Sequence, residues 1–126
     1  MTTLLNLQIK AGADYRHDFT VYETEDDSEP RDLTGDIIEG EFRDFNANGR
    51  LLFSVSNGDG IEIIDAFAGE FQLVISREKT HGLRFTEPEI DGTFDIELTP
   101  PSGFPRARIV SGELEITRDN TRGNNT

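Results

Sequence analysis

Carboxylates are the reactive groups this chain has most of, with 25 Asp and Glu among its 126 residues. Two of them facing each other across a cleft could hydrolyse a glycoside, provided burial raised the pKa of one. The spacing argues otherwise. Glu39 with Glu41, and Asp95 with Glu97, fall on the polar phase of alternating segments, which places them on solvated strand faces. The run "ETEDDSEPRD", residues 23 to 32, gathers Glu23, Glu25, Asp26, Asp27, Glu29 and Asp32. A calcium ion would want about six to eight oxygen ligands. The run lacks the D-x-[DN]-x-[DN]-G order of a calcium loop and reads as an exposed, hydrated acidic loop.

Nucleophilic chemistry lacks its parts. There is no Cys, no Gly-x-Ser-x-Gly, and His occurs only at 17 and 81. His17 shares a strand face with Tyr15 and Phe19 and is expected to act as a half-buried, aromatic-like filler. His81 precedes a helix-stopping Gly82, where an imidazole suits a helix C-terminus. Neither phosphate-cradling glycine motif is present, and the glycines fall at turns. The expectation is therefore no catalytic residue, no cofactor and no metal.

Charge bounds the partners. Twelve basic against 25 acidic residues give a net charge of −13. Nucleic-acid binding relies on Lys and Arg neutralising phosphates, and anionic membranes repel the same sign, so neither is expected as a partner. A basic protein partner is permitted. The N-terminal "MTTLLNLQIK" has no basic n-region or long apolar run, and no segment is apolar enough to span a membrane. Synthesis and folding in a cytoplasm, without export, is the expectation.

The elements that must position these residues repeat with a period of two, which returns side chains to one strand face. Leu5, Leu7 and Ile9 alternate, then Tyr15, His17, Phe19 and Val21. Ile38, Gly40 and Phe42 follow, then Leu51, Phe53 and Val55. Later come Ile61 and Ile63, then Phe71, Leu73 and Ile75. Phe94, Ile96 and Leu98 precede a last run of Val110, Gly112, Leu114 and Ile116. "FNANG", "NGDG" and "PPSGFP" punctuate them as turns. Residues 76 to 83, "SREKTHGL", read as one short helical turn with Ser76 as N-cap. Eight or nine short strands with one apolar face predict an all-β fold, a two-layer antiparallel β-sandwich, with a closed barrel as the alternative. Residues 1–118 form one domain in this reading, and 119–126 a polar tail.

One stretch is distinctive: "EPRDLTGDIIEGEFRD", residues 29 to 44. Pro30 biases Glu29 toward extended backbone, Asp32 and Thr34 can bond nearby amides, and Gly35 permits a tight corner. Leu33 is the one apolar anchor among them and is expected to plug an end of the core. The motif turns the chain from one layer into the other.

Five segments in order along the chain carry a resemblance: "LLNLQIKAGADYRHDFTV", "PRDLTGDIIEGEFRD", "GIEIIDAFAGEFQLVIS", "GTFDIEL" and "RIVSGELEITRDNTR". Together they resemble small immunoglobulin-like β-domain proteins of tailed bacteriophages, including the N-terminal domain of the baseplate upper protein family and related fibre-attachment proteins. The strand after Asp-Leu-Thr-Gly ends at "EGEFRD", short of the longer basic ending of related sequences. The resemblance implies an immunoglobulin-like fold and a structural role in the virion, most simply in the tail or baseplate. There the protein would attach or brace a tail fibre or receptor-binding protein, in many copies of a symmetric assembly. A capsid decoration protein is the nearest alternative. A carbohydrate-binding module is a further one, disfavoured by the absence of Trp and the presence of only two Tyr. Partner contacts are expected from the acidic loop, with Glu25, Asp26, Asp27 and Glu29, from Arg106 and Arg108 beside the "PPSGFP" turn, and from the C-terminal tail.

Overall fold

The computed structural model describes residues 3–23, 29–45, 49–83, 85 and 88–118. Eight strands run through them: β1 (Thr3–Lys10), β2 (Tyr15–Thr20), β3 (Ile37–Asp44), β4 (Leu51–Asn57), β5 (Gly60–Asp65), β6 (Glu70–Ile75), β7 (Glu89–Thr99) and β8 (Ala107–Thr117). One short helix, α1 (Arg77–His81), lies between β6 and β7. The all-β class and the single helical turn follow the sequence pattern.

Hydrogen bonding joins all eight strands into one sheet, in the order β1-β8-β7-β3-β4-β5-β6-β2, curled until it is nearly closed. Hydrogen bonding alone therefore does not divide the strands into the two expected layers. Nor is the pairing antiparallel throughout. β1 lies parallel to β8 from Thr3↔Val110 to Lys10↔Thr117, and β4 meets β5 in parallel through Ser56↔Gly60 and Asn57↔Ile61 alone. A period of two fixes which side chains face inward and says nothing about strand direction. The β1–β8 join depends on Gly112, opposite Leu5 in register, because a Cβ there would collide with the Leu5 carbonyl oxygen.

The inner face carries the core. Phe42 is fully buried and sits between its cross-strand partners Phe53 and Phe94, with ring centroids 4.5 and 5.3 Å away. Aromatic pairs across neighbouring strands are among the strongest lateral contacts in a sheet. Phe71, Leu73, Ile75, Leu7 and Ile9 extend the same core.

The Asp-Leu-Thr-Gly corner links β2, at one end of the strand order, to β3 in its middle. Asp32 Oδ1 accepts the Thr34 amide at 2.9 Å and the Thr34 hydroxyl at 2.6 Å. These bonds favour the charged carboxylate and hold the Asp32 pKa below its ordinary value. Gly35 has φ +79°, and a Cβ there would also lie 2.9 Å from the Pro101 ring. Leu33 is buried as expected, and its amide donates to Ala66 O in the β5–β6 turn at 2.9 Å.

Helix α1 begins after Ser76, but the Ser76 side chain makes no cap bond. Asp14, in the β1–β2 turn, accepts the Arg77 amide at 2.8 Å in its place. Buried Thr80 accepts the Gly12 amide at 3.0 Å, so the short helix is pinned to that turn from two sides. Gly82 ends the helix at φ −90°, a backbone open to any residue.

Candidate docking surface

The fold distributes the expected contact residues unequally. Glu25, Asp26, Asp27 and the C-terminal tail lie outside the described residues. Glu29 is exposed, and its carbonyl accepts the Glu23 amide at 2.8 Å, which closes the base of the acidic loop. Arg108 is on β8, across the β7–β8 hairpin from the acids of β7, and Arg106 lies just before that strand. Arg106 reaches Glu39 at 3.4 Å and Glu97 at 3.6 Å, and Arg108 reaches Asp95 at 3.9 Å.

Register explains that arrangement. Glu39 sits directly opposite Glu97, and Glu41 directly opposite Asp95, on the outer face of β3 and β7. Like charges facing across a strand pair destabilise it. Arg106 and Arg108 offset that repulsion, with Arg43 on Glu41 at 2.8 Å. All are substantially exposed, so each pair contributes ~1 kcal/mol at most. The polar phase of these strands is a solvated face, as the alternation predicts.

Further along the same face lies a tighter group of acids. Glu89, Asp91 and Glu115 bring carboxylate oxygens within 4.8 Å of one another. Asp91 and Glu115 are register partners, so the crowding is built into the β7–β8 ladder. Hydrogen bonding to Asp91, then to Glu115, with repulsion from both, pushes the Glu89 pKa up to about 7. Three such oxygens suit a hard cation chemically, yet the group is largely exposed, as unliganded surface acids commonly are.

A buried charge pair missed in the sequence sits beside the Asp-Leu-Thr-Gly corner. Asp36 is 5% exposed. Arg31 donates to both its oxygens, Nε to Oδ2 at 3.0 Å and Nη2 to Oδ1 at 3.3 Å. The hydrogen bond to Asp36 is the main reason the Arg31 pKa is raised. Glu23 adds a third contact at 3.4 Å. Asn57 donates to the Asp36 carbonyl at 3.2 Å and accepts the Ile38 amide at 2.7 Å, tying the end of β4 to the start of β3. The signal was present as "PRDLTGD", with Arg31 and Asp36 bracketing the corner, but nothing in the spacing says that Asp36 turns inward.

The nearly closed sheet leaves a seam. β1 and β2 end the strand order, and among the described residues no strand covers their outer edges. A groove of about 380 Å³ opens between them, lined by Thr3, Phe19, Val21, Tyr22, Phe104 and Ile109 among others. Phe104, which lines the groove, is 81% exposed, and Leu4 on β1 is 79% exposed. His17 lies on the inner face of β2 as a half-buried ring between Tyr15 and Phe19, with centroids 6.5 and 4.7 Å away.

No family model matches the sequence, and no curated protein matches it. Among solved structures, the chain is similar to the periplasmic chaperone SfaE, with a TM-score of 0.41 and 14% identity over 90% of this chain and 53% of that one. The chain spans about half the length of that protein. A likeness this distant transfers neither fold nor function.

Proposed function

We propose that this chain is a non-enzymatic docking domain, and more narrowly a structural protein of a bacteriophage virion. In the tail or baseplate it would attach or brace a fibre or receptor-binding protein. The observation that carries the docking reading is the seam, where two strand edges, uncovered among the described residues, flank a groove that exposed Phe104 and Tyr22 help to line. Uncovered edges and exposed aromatic groups are what protein partners use. The phage assignment rests on the resemblance of the five sequence segments.

The β4–β5 join is only two register pairs long, against six or more for β1–β8, β7–β8 and β3–β7. A bend there would make a two-layer sandwich, β1-β8-β7-β3-β4 over β5-β6-β2, with the strand neighbours of an immunoglobulin-like domain. A packed core between such layers would hold the docking edges in fixed register, as a rigid adaptor requires.

Mass spectrometry of purified particles, from cells in which the gene is expressed during phage production, tests the assignment. The protein is expected at a fixed copy number per particle, released with tail fractions. Its absence from particles, or its release with heads alone, would overturn the tail reading.

A further inference from the structure

The two edges of the seam are not equivalent. On β1 the inward residues Leu7 and Ile9 are 2% and 1% exposed, so that edge is sealed from within. On β2 the inward residues Tyr15, His17 and Phe19 are all only half-buried. Their neighbours one strand away on β6 (Phe71, Leu73 and Ile75) are 1%, 0% and 0% exposed. A side chain on a sheet face is covered by flanking strands on both sides, and β2 has a flank on one side only. The inner face stops one strand short at β2.

Among the described residues, the outer backbone edge of β2 also has no strand partner. Val21 donates its amide to Gly69 O at 2.8 Å, which fixes the phase of the β2–β6 ladder. By antiparallel alternation, the amides and carbonyls of Arg16, Asp18 and Thr20 then point away from β6. A row of such groups beside uncovered aromatic rings is a template for strand addition.

We propose that the β2 edge accepts one extended strand from a neutral or cationic partner. The strand pairs with Arg16, Asp18 and Thr20, lays its alternate apolar side chains beside Tyr15, His17 and Phe19, and closes the seam toward β1. Charge selects this occupant over a second copy of the chain, because two bodies each carrying −13 repel one another. The groove at the Phe19–Tyr22 end gives the strand an apolar anchor point, among Phe104, Ile109 and Val21. The proposal names the kind of contact behind the docking reading and rests on that reading. It does not depend on the virion assignment.

The test uses the full chain and an acetylated heptapeptide alternating valine with lysine and threonine. Controls are its twin with alternate amides N-methylated and a version with glutamate for lysine. Amide exchange is followed by NMR. The expected result is slowed exchange at Arg16, Asp18 and Thr20 with the lysine peptide, none with the N-methylated twin, and weaker binding of the glutamate version. Thr20→Pro removes one outward amide at an edge position that tolerates proline, and should weaken peptide binding by about five- to tenfold while the β6 amides stay protected. If that variant fails to fold, the N-methylated twin still decides. Protection appearing at β1 only, protection rising with protein concentration without peptide at low ionic strength, or no protection at all would overturn the proposal. Absence from purified particles would strike the virion assignment and leave this result standing.

Discussion

Replacing Arg31 with Met should cost far more than its position near the surface suggests. The guanidinium is the fork that holds both oxygens of Asp36, whose side chain is only 1% exposed. Removing one partner of a buried pair leaves the other charge uncompensated, a loss of about 3–5 kcal/mol in fully buried cases. Here the Arg31 side chain is itself 29% exposed, so water can reach the vacated space and the expected loss is nearer ~2–3 kcal/mol. At this chain length that lowers the melting temperature by about 10 °C. The Asp36 amide and carbonyl bond to Leu33 O and Asn57, so a side-chain change leaves those backbone bonds in place.

A double-mutant cycle isolates the pair. Asp36→Leu combined with Arg31→Met removes both charges, and the double variant should recover to within ~1 kcal/mol of the parent, because apolar replacement of a whole buried pair is often neutral. Urea denaturation followed by circular dichroism measures all four proteins. A coupling energy below ~0.5 kcal/mol would refute the reasoning. It would mean that Arg31 rests on the surface and that the corner is held by Asp32, Thr34 and Leu33 alone.

Phe42→Ala removes the ring between Phe53 and Phe94 and should cost about 4–5 kcal/mol, measured by the same denaturation. Gly112→Ala drives a methyl group into the Leu5 carbonyl and should release β1, seen as fast amide exchange from Leu5 to Ile9 while β7 stays protected. Glu89 has its folded pKa raised from 4.5 to about 7, so the folded state holds that proton more tightly than the unfolded chain does. The stability this supplies is full below pH ~4.5 and lost as pH rises through ~7. Glu89→Gln should therefore raise the melting temperature at pH 8 relative to the parent more than at pH 4. An equal change at both values would show that the three carboxylates do not interact. Arg106→Ala, which breaks only exposed contacts to Glu39 and Glu97, should cost less than ~1 kcal/mol by thermal melting.

What the sequence reveals is whatever a single strand or a local corner decides. Alternation places Phe42, Leu73 and Ile96 inward, and all three are fully buried. The Asx bond at Asp32, the positive φ of Gly35 and the buried Leu33 all follow from a six-residue motif whose contacts are mostly its own. His17 as a half-buried ring follows from its phase. What the sequence hides involves a partner far along the chain. Asp14 replaces Ser76 as the cap of α1 across 63 positions. The crowding of Asp91 with Glu115 exists only because β7 and β8 pair in one register. The parallel β1–β8 join could have been suspected only from Gly112, whose missing Cβ looks in the sequence like any other break in alternation.

Two strand edges, uncovered among the described residues, need a reason not to pair between copies of the chain. Open edges invite pairing between copies, and proteins usually blunt them with charge, proline or short length. β2 is six residues long and carries Arg16 and Asp18 on its outer face, both engaged by Gln72, at 2.9 and 2.8 Å. β1 ends at Lys10, and the whole chain carries −13. Local charges of both signs cannot repel another copy of the same edge, since Arg16 of one could meet Asp18 of the other. The global charge can, and it acts at a distance of about one Debye length, before any edge is in reach. High salt should therefore remove the protection: if strand pairing between copies is held off by net charge, self-association will appear in light scattering as ionic strength rises toward ~1 M and will slow amide exchange first at Arg16, Asp18 and Thr20. A chain that stays monomeric there would show that the β2 edge itself resists pairing, against a strand-accepting β2.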